Sequence, residues 1–98
     1  MTDAKSELAN TLREAAAWLA RPDNNFDWSA WEDADEALAE VSAHIATLDA
    51  GKLPPKLDLT VLFAATAPIQ EVSLSSGWGD EFLDLAARFD RAARRAYR

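Results

Sequence analysis

The sequence predicts an all-α fold, a compact bundle of four to five helices in one domain that spans residues 1–98. Three observations indicate this class. Apolar residues recur at helical spacing near both ends of the chain. Only three glycines and four prolines interrupt it, which argues against a disordered or all-β protein. A chain of this length can bury roughly 60 to 70 % of the surface that its unfolded form exposes, enough for one core without metal or disulfide bonds.

The first helix is predicted between Asp3 and Arg21. Thr2 or Asp3 is expected to cap its start, because a side-chain oxygen can accept a hydrogen bond from a free backbone N–H of the first turn. Pro22 lies just beyond its end. The apolar residues that share one face of this helix are Ala4, Leu8, Leu12, Ala15, Ala16 and Leu19.

A second helix is predicted after the loop at residues 22–27, which is rich in the turn formers Asn and Asp. We expect this helix to begin near Asp27 or Ser29. It should end at Gly51, because glycine accommodates the left-handed conformation that closes many helices. Its expected buried face consists of Trp31, Ala34, Leu38, Val41, Ile45 and Leu48.

Two short helices are predicted in the middle of the chain, after a linker that contains Pro54-Pro55. Asp58 is expected to cap the first of them, whose inner face carries Leu59, Leu62 and Phe63. Pro68 suits the first turn of the second, and Gly77 suits its end. Residues 69–74 also alternate between two faces, so a strand is the alternative there.

The last helix is predicted to start at a cap formed by Asp80. Its first turn is acidic and its last turns are basic, an order that the helix dipole favours. Its apolar face carries Phe82, Leu85, Ala86, Phe89, Ala93 and Ala96, and its basic face carries Arg88, Arg91, Arg94, Arg95 and Arg98. We expect these arginines to offset Asp84 and Asp90 four residues away, and they can also pair with the acidic second helix.

Charge is distributed unevenly along the chain. The net charge is −7, yet the segment from Pro22 to Gly51 contains eight acidic residues and no Lys or Arg, whereas the last eleven residues include five Arg. This asymmetry favours partners that are chosen by charge. Because most of the surface would repel nucleic acid, no nucleic-acid partner is expected.

The charge pattern predicts a non-catalytic protein–protein interaction module of adaptor, antitoxin or immunity type, which docks a basic protein partner through its acidic second helix. The alternative is a homo-oligomer, in which the basic face of the last helix meets the acidic second helix of another copy. The residues predicted to bind the partner are Asp23, Asp27, Trp28, Glu32, Asp33, Asp35, Glu36 and Glu40.

The four tryptophans have different expected environments. Trp31 belongs to the predicted core of the second helix, and Trp18 lies at the edge of the first helix's apolar face. Trp28 and Trp78 lie at corners, where they either seal the ends of the bundle or stand partly exposed. Core packing is the favoured role, although aromatic side chains beside acids also suit an interface.

A metal-binding enzyme is a less favoured alternative. Glu36, Glu40 and His44 are spaced by four residues and could offer ligands on one helix face. A closed site needs ligands that converge from more than one element, and the chain has no second histidine. Without cysteine or a framed nucleophile, we expect no catalytic residue, cofactor or metal.

The N-terminus lacks the basic start and apolar run of a signal peptide, and no apolar run approaches the roughly 18 residues that a membrane helix needs. We therefore expect a cytoplasmic protein that does not bind membranes.

The residues from Leu62 to Phe82, together with Phe89-Asp90, resemble the C-terminal signature of small bacterial proteins that are grouped as a domain of unknown function. The resemblance covers under a third of the chain and implies a bacterial origin. No activity or site residues are attached to that group, so the resemblance implies none for this chain.

Overall fold

A computed structural model describes residues 3–27, 29–64 and 67–97. These residues form five helices and no strand, which confirms the predicted all-α bundle. The helices are α1 (Ala4–Leu19), α2 (Ala34–Asp49), α3 (Lys56–Phe63), α4 (Pro68–Ser76) and α5 (Gly79–Ala96). The strand alternative for residues 69–74 is wrong, since Pro68 opens a helix there as its ring geometry favours.

Helix α1 lies at the centre of the bundle, between α2 on one side and α5 on the other. Its predicted apolar face is confirmed, because Leu8, Leu12 and Leu19 are completely buried. The short helices α3 and α4 pack against each other and against α5. Phe63 brings α3 into the core, where its ring stacks on Phe89 at a centroid distance of 4.4 Å.

Helix α2 begins five or more residues later than the sequence predicts. Asp33 caps it, since its Oδ1 accepts a hydrogen bond from the backbone N–H of Glu36 at 3.0 Å. Just before the cap, the Ser29 hydroxyl accepts the Trp31 N–H at 3.2 Å, which stabilises a bend instead of a helix. Trp31 is buried as expected, but it enters the core from this bend.

The buried face of α2 is also rotated from the predicted one. Ala37, Val41 and Leu48 are buried, while Leu38 and Ile45 are only partly buried and pack at the edge of the core. Because α1 is the principal neighbour of α2, only a narrow stripe of the helix is covered. The remainder of its surface faces solvent.

Asp3 is the cap of α1, one of the two predicted candidates; Thr2 lies outside the described residues. Its Oδ1 accepts the Ser6 backbone N–H at 2.8 Å, and this hydrogen bond is the main cause that lowers the pKa of the Asp3 carboxyl.

The two glycine predictions are confirmed. Gly51 and Gly77 adopt φ angles of 81° and 86°, the left-handed conformation that ends α2 and α4.

The predicted caps Asp58 and Asp80 are wrong. Pro55 precedes α3 and Trp78 precedes α5, and neither helix has a side-chain capping bond. In α5 the reason is local, because Gly77 ends α4 and leaves only Trp78 before the next helix begins. Asp80 therefore lies within the first turn, where its charge still interacts favourably with the helix dipole.

The arginines of α5 pair mainly with α1 and within their own helix. The Arg88 guanidinium donates to both carboxylate oxygens of Glu14, at 2.5 and 3.1 Å. Arg95 donates to both oxygens of Glu7 at 2.8 Å. The predicted pairing with α2 is therefore wrong for these residues, because α1 separates the two helices.

Two pairs that the sequence predicts within α5 are confirmed. Asp84 lies 3.0 Å from Arg88, and Asp90 lies 2.9 Å from Arg94. The hydrogen bond that Arg88 donates to Glu14 is the main cause that raises the pKa of Arg88. Arg98 is outside the described residues.

The segment Lys56–Ser76 meets the length and composition criteria of a membrane-crossing helix, which corrects the expectation that no apolar stretch comes near them. The expectation rested on uninterrupted apolar runs, whereas this segment includes polar residues within an apolar average. Its described residues form the two separate helices α3 and α4, whose inner faces lie in the core. A core segment of a folded bundle meets the same criteria.

Candidate protein-binding surface

Seven of the eight residues predicted to bind a partner lie in the described part of the chain, and all seven are exposed. They occupy the loop after α1, the bend before α2 and the first two turns of α2. We call them the acidic surface: Asp23, Asp27, Glu32, Asp33, Asp35, Glu36 and Glu40. The eighth predicted residue, Trp28, lies outside the described residues.

Two carboxylates of the acidic surface help to form the start of α2. While Asp33 accepts the Glu36 N–H, the Glu36 Oε2 accepts the Glu32 N–H at 3.2 Å. This reciprocal arrangement is similar to a capping box and satisfies backbone donors that a helix start leaves unpaired. Asp33 and Glu36 therefore have a structural role that the sequence analysis did not assign to them.

A third carboxylate, Asp23, lies 3.5 Å from the guanidinium of Arg21, and both side chains are largely exposed. Surface pairs of this kind contribute between about 0 and 1 kcal/mol, so Asp23 remains available to an incoming charge.

The other four carboxylates, those of Asp27, Glu32, Asp35 and Glu40, make no hydrogen bond or ion pair with any residue that the structure describes. Both acids of α1 and two of the four in α5 differ, since Glu7, Glu14, Asp84 and Asp90 all pair with arginines. Asp49 at the end of α2 also pairs, with Arg13. The negative charge where α1 meets α5 is thus paired with arginine, while four charges of the acidic surface are left without a described partner.

The loop that carries Asp23 and Asp27 is held by a set of hydrogen bonds and ring contacts. Trp18 stacks on Trp78, and the Trp78 Nε1–H donates to Asn24 Oδ1 at 2.9 Å. The Asn24 amide donates in turn to the Trp18 carbonyl at 2.6 Å. Asn25 donates its backbone N–H to the Ser76 hydroxyl at 2.8 Å, so the loop is attached to both α1 and α4.

These contacts decide the role of Trp78, which is buried and seals one end of the bundle. They also position the start of the acidic surface on packed elements. A surface held in place before binding loses less conformational entropy when a partner docks.

A groove of about 390 Å³ separates α2 from α3. Glu40, Ala43 and His44 form its α2 wall, and Asp58, Val61 and Leu62 form its α3 wall. The acidic surface therefore continues through Glu40 into a cleft whose opposite wall carries another carboxylate.

Sequence reasoning missed Asp58 and Val61 as surface residues of this cleft. The signal was present in Leu57 and Val61, which lie four residues apart opposite the inner face of α3.

The structure places Glu40 and His44 in this groove, but the Glu36 carboxylate is engaged with the backbone of Glu32. Among residues 3–27, 29–64 and 67–97, no group of three or more His, Asp or Glu side chains is arranged to hold a metal ion. The three residues of the metal alternative are therefore not brought together as ligands.

A second groove, of about 400 Å³, lies between α1 and α5. Its charged residues are largely paired with one another across the groove, as in Glu14 with Arg88 and Glu7 with Arg95. Only Arg91 lines it without an ion pair to a described residue. This surface is close to electrically balanced, in contrast to the acidic surface.

Comparisons of the chain with protein-family models, with curated proteins and with solved structures found no match. The resemblance of the C-terminal residues to a domain of unknown function remains a prediction.

Proposed function

We propose that this protein is a non-catalytic interaction module, of adaptor, antitoxin or immunity type, whose acidic surface docks a basic protein partner. The observation that carries the proposal is the contrast in charge pairing. Both acids of α1 and two of the four acids of α5 have arginine partners, whereas Asp27, Glu32, Asp35 and Glu40 have none among the described residues.

Uncompensated charge on one face has a direct physical consequence for docking. It attracts and orients a positively charged surface during diffusion, which raises the association rate. Salt screens this attraction over a distance of about 8 Å at physiological ionic strength. A complex formed in this way is therefore sensitive to salt, mainly through its association rate.

Homo-oligomerisation through the basic face of α5 has less support. Arg88 and Arg95 each donate two hydrogen bonds to acids of the same chain. Arg94 also pairs, with Asp90. A second copy would have to compete with these contacts, while a different protein with unpaired Lys or Arg would not.

The test is capture of a partner from lysate of the native host by three forms of the full chain. The test variant carries Glu32→Gln, Asp35→Asn and Glu40→Gln. The control variant carries Glu71→Gln, Asp80→Asn and Glu81→Gln, acids outside the acidic surface. Each removes three negative charges from the net −7 and leaves −4, and each leaves the Asp33–Glu36 cap unchanged.

We expect a basic protein to be captured by the wild type and the control variant, and to be lost from the test variant and at high salt. Equal capture by all three forms would contradict the proposal, and so would capture that does not change with salt. Sedimentation of the purified wild type at low and high salt measures self-association separately.

A further inference from the structure

The groove between α2 and α3 combines carboxylates with exposed apolar surface. Glu40 on one wall and Asp58 on the other are both exposed and form no ion pair with described residues. Leu62 is buried at the α3 side, and Val61 beside it is 48 % exposed. The groove therefore has a carboxylate on each wall and an apolar strip beside Asp58, formed by Leu62 and Val61.

The apolar strip extends beyond the groove along the outer side of α3. Leu57 is 70 % exposed and lies one turn before Val61, and Leu53, which precedes the helix, is 38 % exposed. Helices α2 and α3 share little direct packing, so the groove is open along its length. Large aliphatic side chains that are exposed one turn apart, as Leu57 and Val61 are, are typical of a surface that another protein covers.

We propose that this groove is the docking site for a short basic amphipathic helix of the partner. This inference rests on the proposed function and specifies the form of the basic surface. Leucine-like side chains of the partner helix would cover Leu57 and Val61, and Lys or Arg on the edge that faces α2 would meet Glu40 and Asp58. This arrangement is the helix-in-groove mode of recognition, in which apolar residues at helical spacing anchor one helix face.

The size of α3 sets the length of the docked segment. Helix α3 has eight residues, which span about 12 Å at 1.5 Å per residue. A partner helix of roughly 11 residues, about three turns and about 16 Å long, covers α3 and extends beyond it by nearly one turn.

A second copy of the chain does not provide such a helix. None of the five described helices has a net positive charge; α5 has basic last turns but four acids against four arginines, and its apolar face is used in its own core through Phe82, Leu85 and Phe89. A membrane surface with anionic lipids is also disfavoured, because the carboxylates at both edges of the groove would repel it.

The inference is tested with two synthetic peptides of Lys and Leu that have the same composition. In the first, Leu recurs at helical spacing so that a helix has one apolar face; in the second, Leu and Lys alternate so that a helix has none. Binding of each labelled peptide to the full chain is measured by fluorescence anisotropy at low salt. We expect the first peptide to bind at least about tenfold more tightly than the second.

Two pairs of variants locate the site. Leu57→Gln with Val61→Gln should weaken binding of the helical peptide by about tenfold, whereas Leu74→Gln with Leu83→Gln, which are similarly exposed on α4 and α5, should leave it unchanged. The double variant Glu40→Gln, Asp58→Asn should also bind the helical peptide more weakly. Its charge-matched control is Glu71→Gln with Asp80→Asn.

Several results would overturn the groove inference. These are equal affinity of the two peptides, no binding of either, no effect of the Leu57 and Val61 changes, or a dimer in sedimentation that those changes dissociate. If both peptides bind equally and the variant with Glu32→Gln, Asp35→Asn and Glu40→Gln binds both more weakly, the acidic surface docks basic partners without the groove. Failure of the proposed function itself is read separately, from the capture experiment.

Discussion

The indole of Trp18 stacks on the indole of Trp78 with their centroids 5.3 Å apart and their planes inclined by 19°. On Trp18 the guanidinium of Arg21 also lies over the ring, 4.9 Å from its centroid. Trp78 is 1 % exposed, and its indole N–H is satisfied by Asn24. This contact joins the end of α1 to the start of α5 and supports the loop from which the acidic surface begins.

Replacement of Trp78 by Ala is expected to lower the free energy of unfolding by about 3–5 kcal/mol, because it leaves a cavity and removes the donor to Asn24. Urea unfolding followed by circular dichroism measures the change. Trp78→Phe should lose less, since it keeps an aromatic ring against Trp18. As a control, Leu83→Ala at an exposed position should change stability by less than about 1 kcal/mol. A similar loss for Leu83→Ala and Trp78→Ala would contradict the role of Trp78.

Asp33→Ala is expected to destabilise the protein by about 0.5–2 kcal/mol, because it removes the side-chain acceptor that caps α2. Asp58→Ala provides the comparison, since Asp58 lies inside α3 and makes no capping bond. Its effect should stay within about 0.5 kcal/mol. Thermal unfolding of both variants measures the difference, and equal destabilisation would be inconsistent with the capping assignment.

Gly77→Ala is expected to destabilise the protein by about 1–2 kcal/mol, the cost of placing an L-residue in the left-handed region. A Cβ at this position would meet no atom within 4 Å, so the backbone conformation alone causes the loss. Gly77→Asn should lose less, because Asn tolerates this conformation better than Ala. Chemical denaturation compares the three forms; an Ala variant as stable as the wild type would refute this account.

Tyr97 is expected to make stability depend on alkaline pH. Its hydroxyl donates to the Pro54 carbonyl at 2.5 Å, and burial, followed by the nearby charge of Asp58, raises the pKa of the phenol. Because the pKa is higher in the folded state, the stabilisation is complete below about pH 10, the value of an unfolded tyrosine, and is lost as the pH rises through the folded-state pKa.

The chain has one tyrosine, so absorbance near the tyrosinate band reports this group directly. We expect a titration midpoint above about 10 in the wild type and a lower midpoint in Asp58→Asn. In Tyr97→Phe the corresponding loss of stability at alkaline pH should disappear. A titration midpoint that is the same in Asp58→Asn as in the wild type would show that the Asp58 carboxylate does not raise the pKa of Tyr97.

Much of the fold was predictable from neighbouring residues. The apolar face of α1, the left-handed glycines 51 and 77 and the start of α4 at Pro68 all depend on spacing or on backbone preferences that act within a few residues. The acidic surface was predictable for the same reason, because its residues follow one another in the chain. The start of α2 was not predictable in this way. Ser29 and Asp33 can both accept a hydrogen bond from a backbone N–H, and in the structure Ser29 stabilises the bend while Asp33 caps the helix.

Which acids keep their charge uncompensated could not be read from the chain. Arg88 and Glu14 are 74 residues apart, and Glu40 and Asp58 line the same groove only because α2 and α3 both pack around the same core. Exposed ion pairs differ by less than about 1 kcal/mol, so an arginine shows little preference among several acids in the sequence. Burial of large apolar side chains such as Leu8 and Phe82, at roughly 1.5–3 kcal/mol each, sets the positions of the helices, and those positions then determine which charges meet.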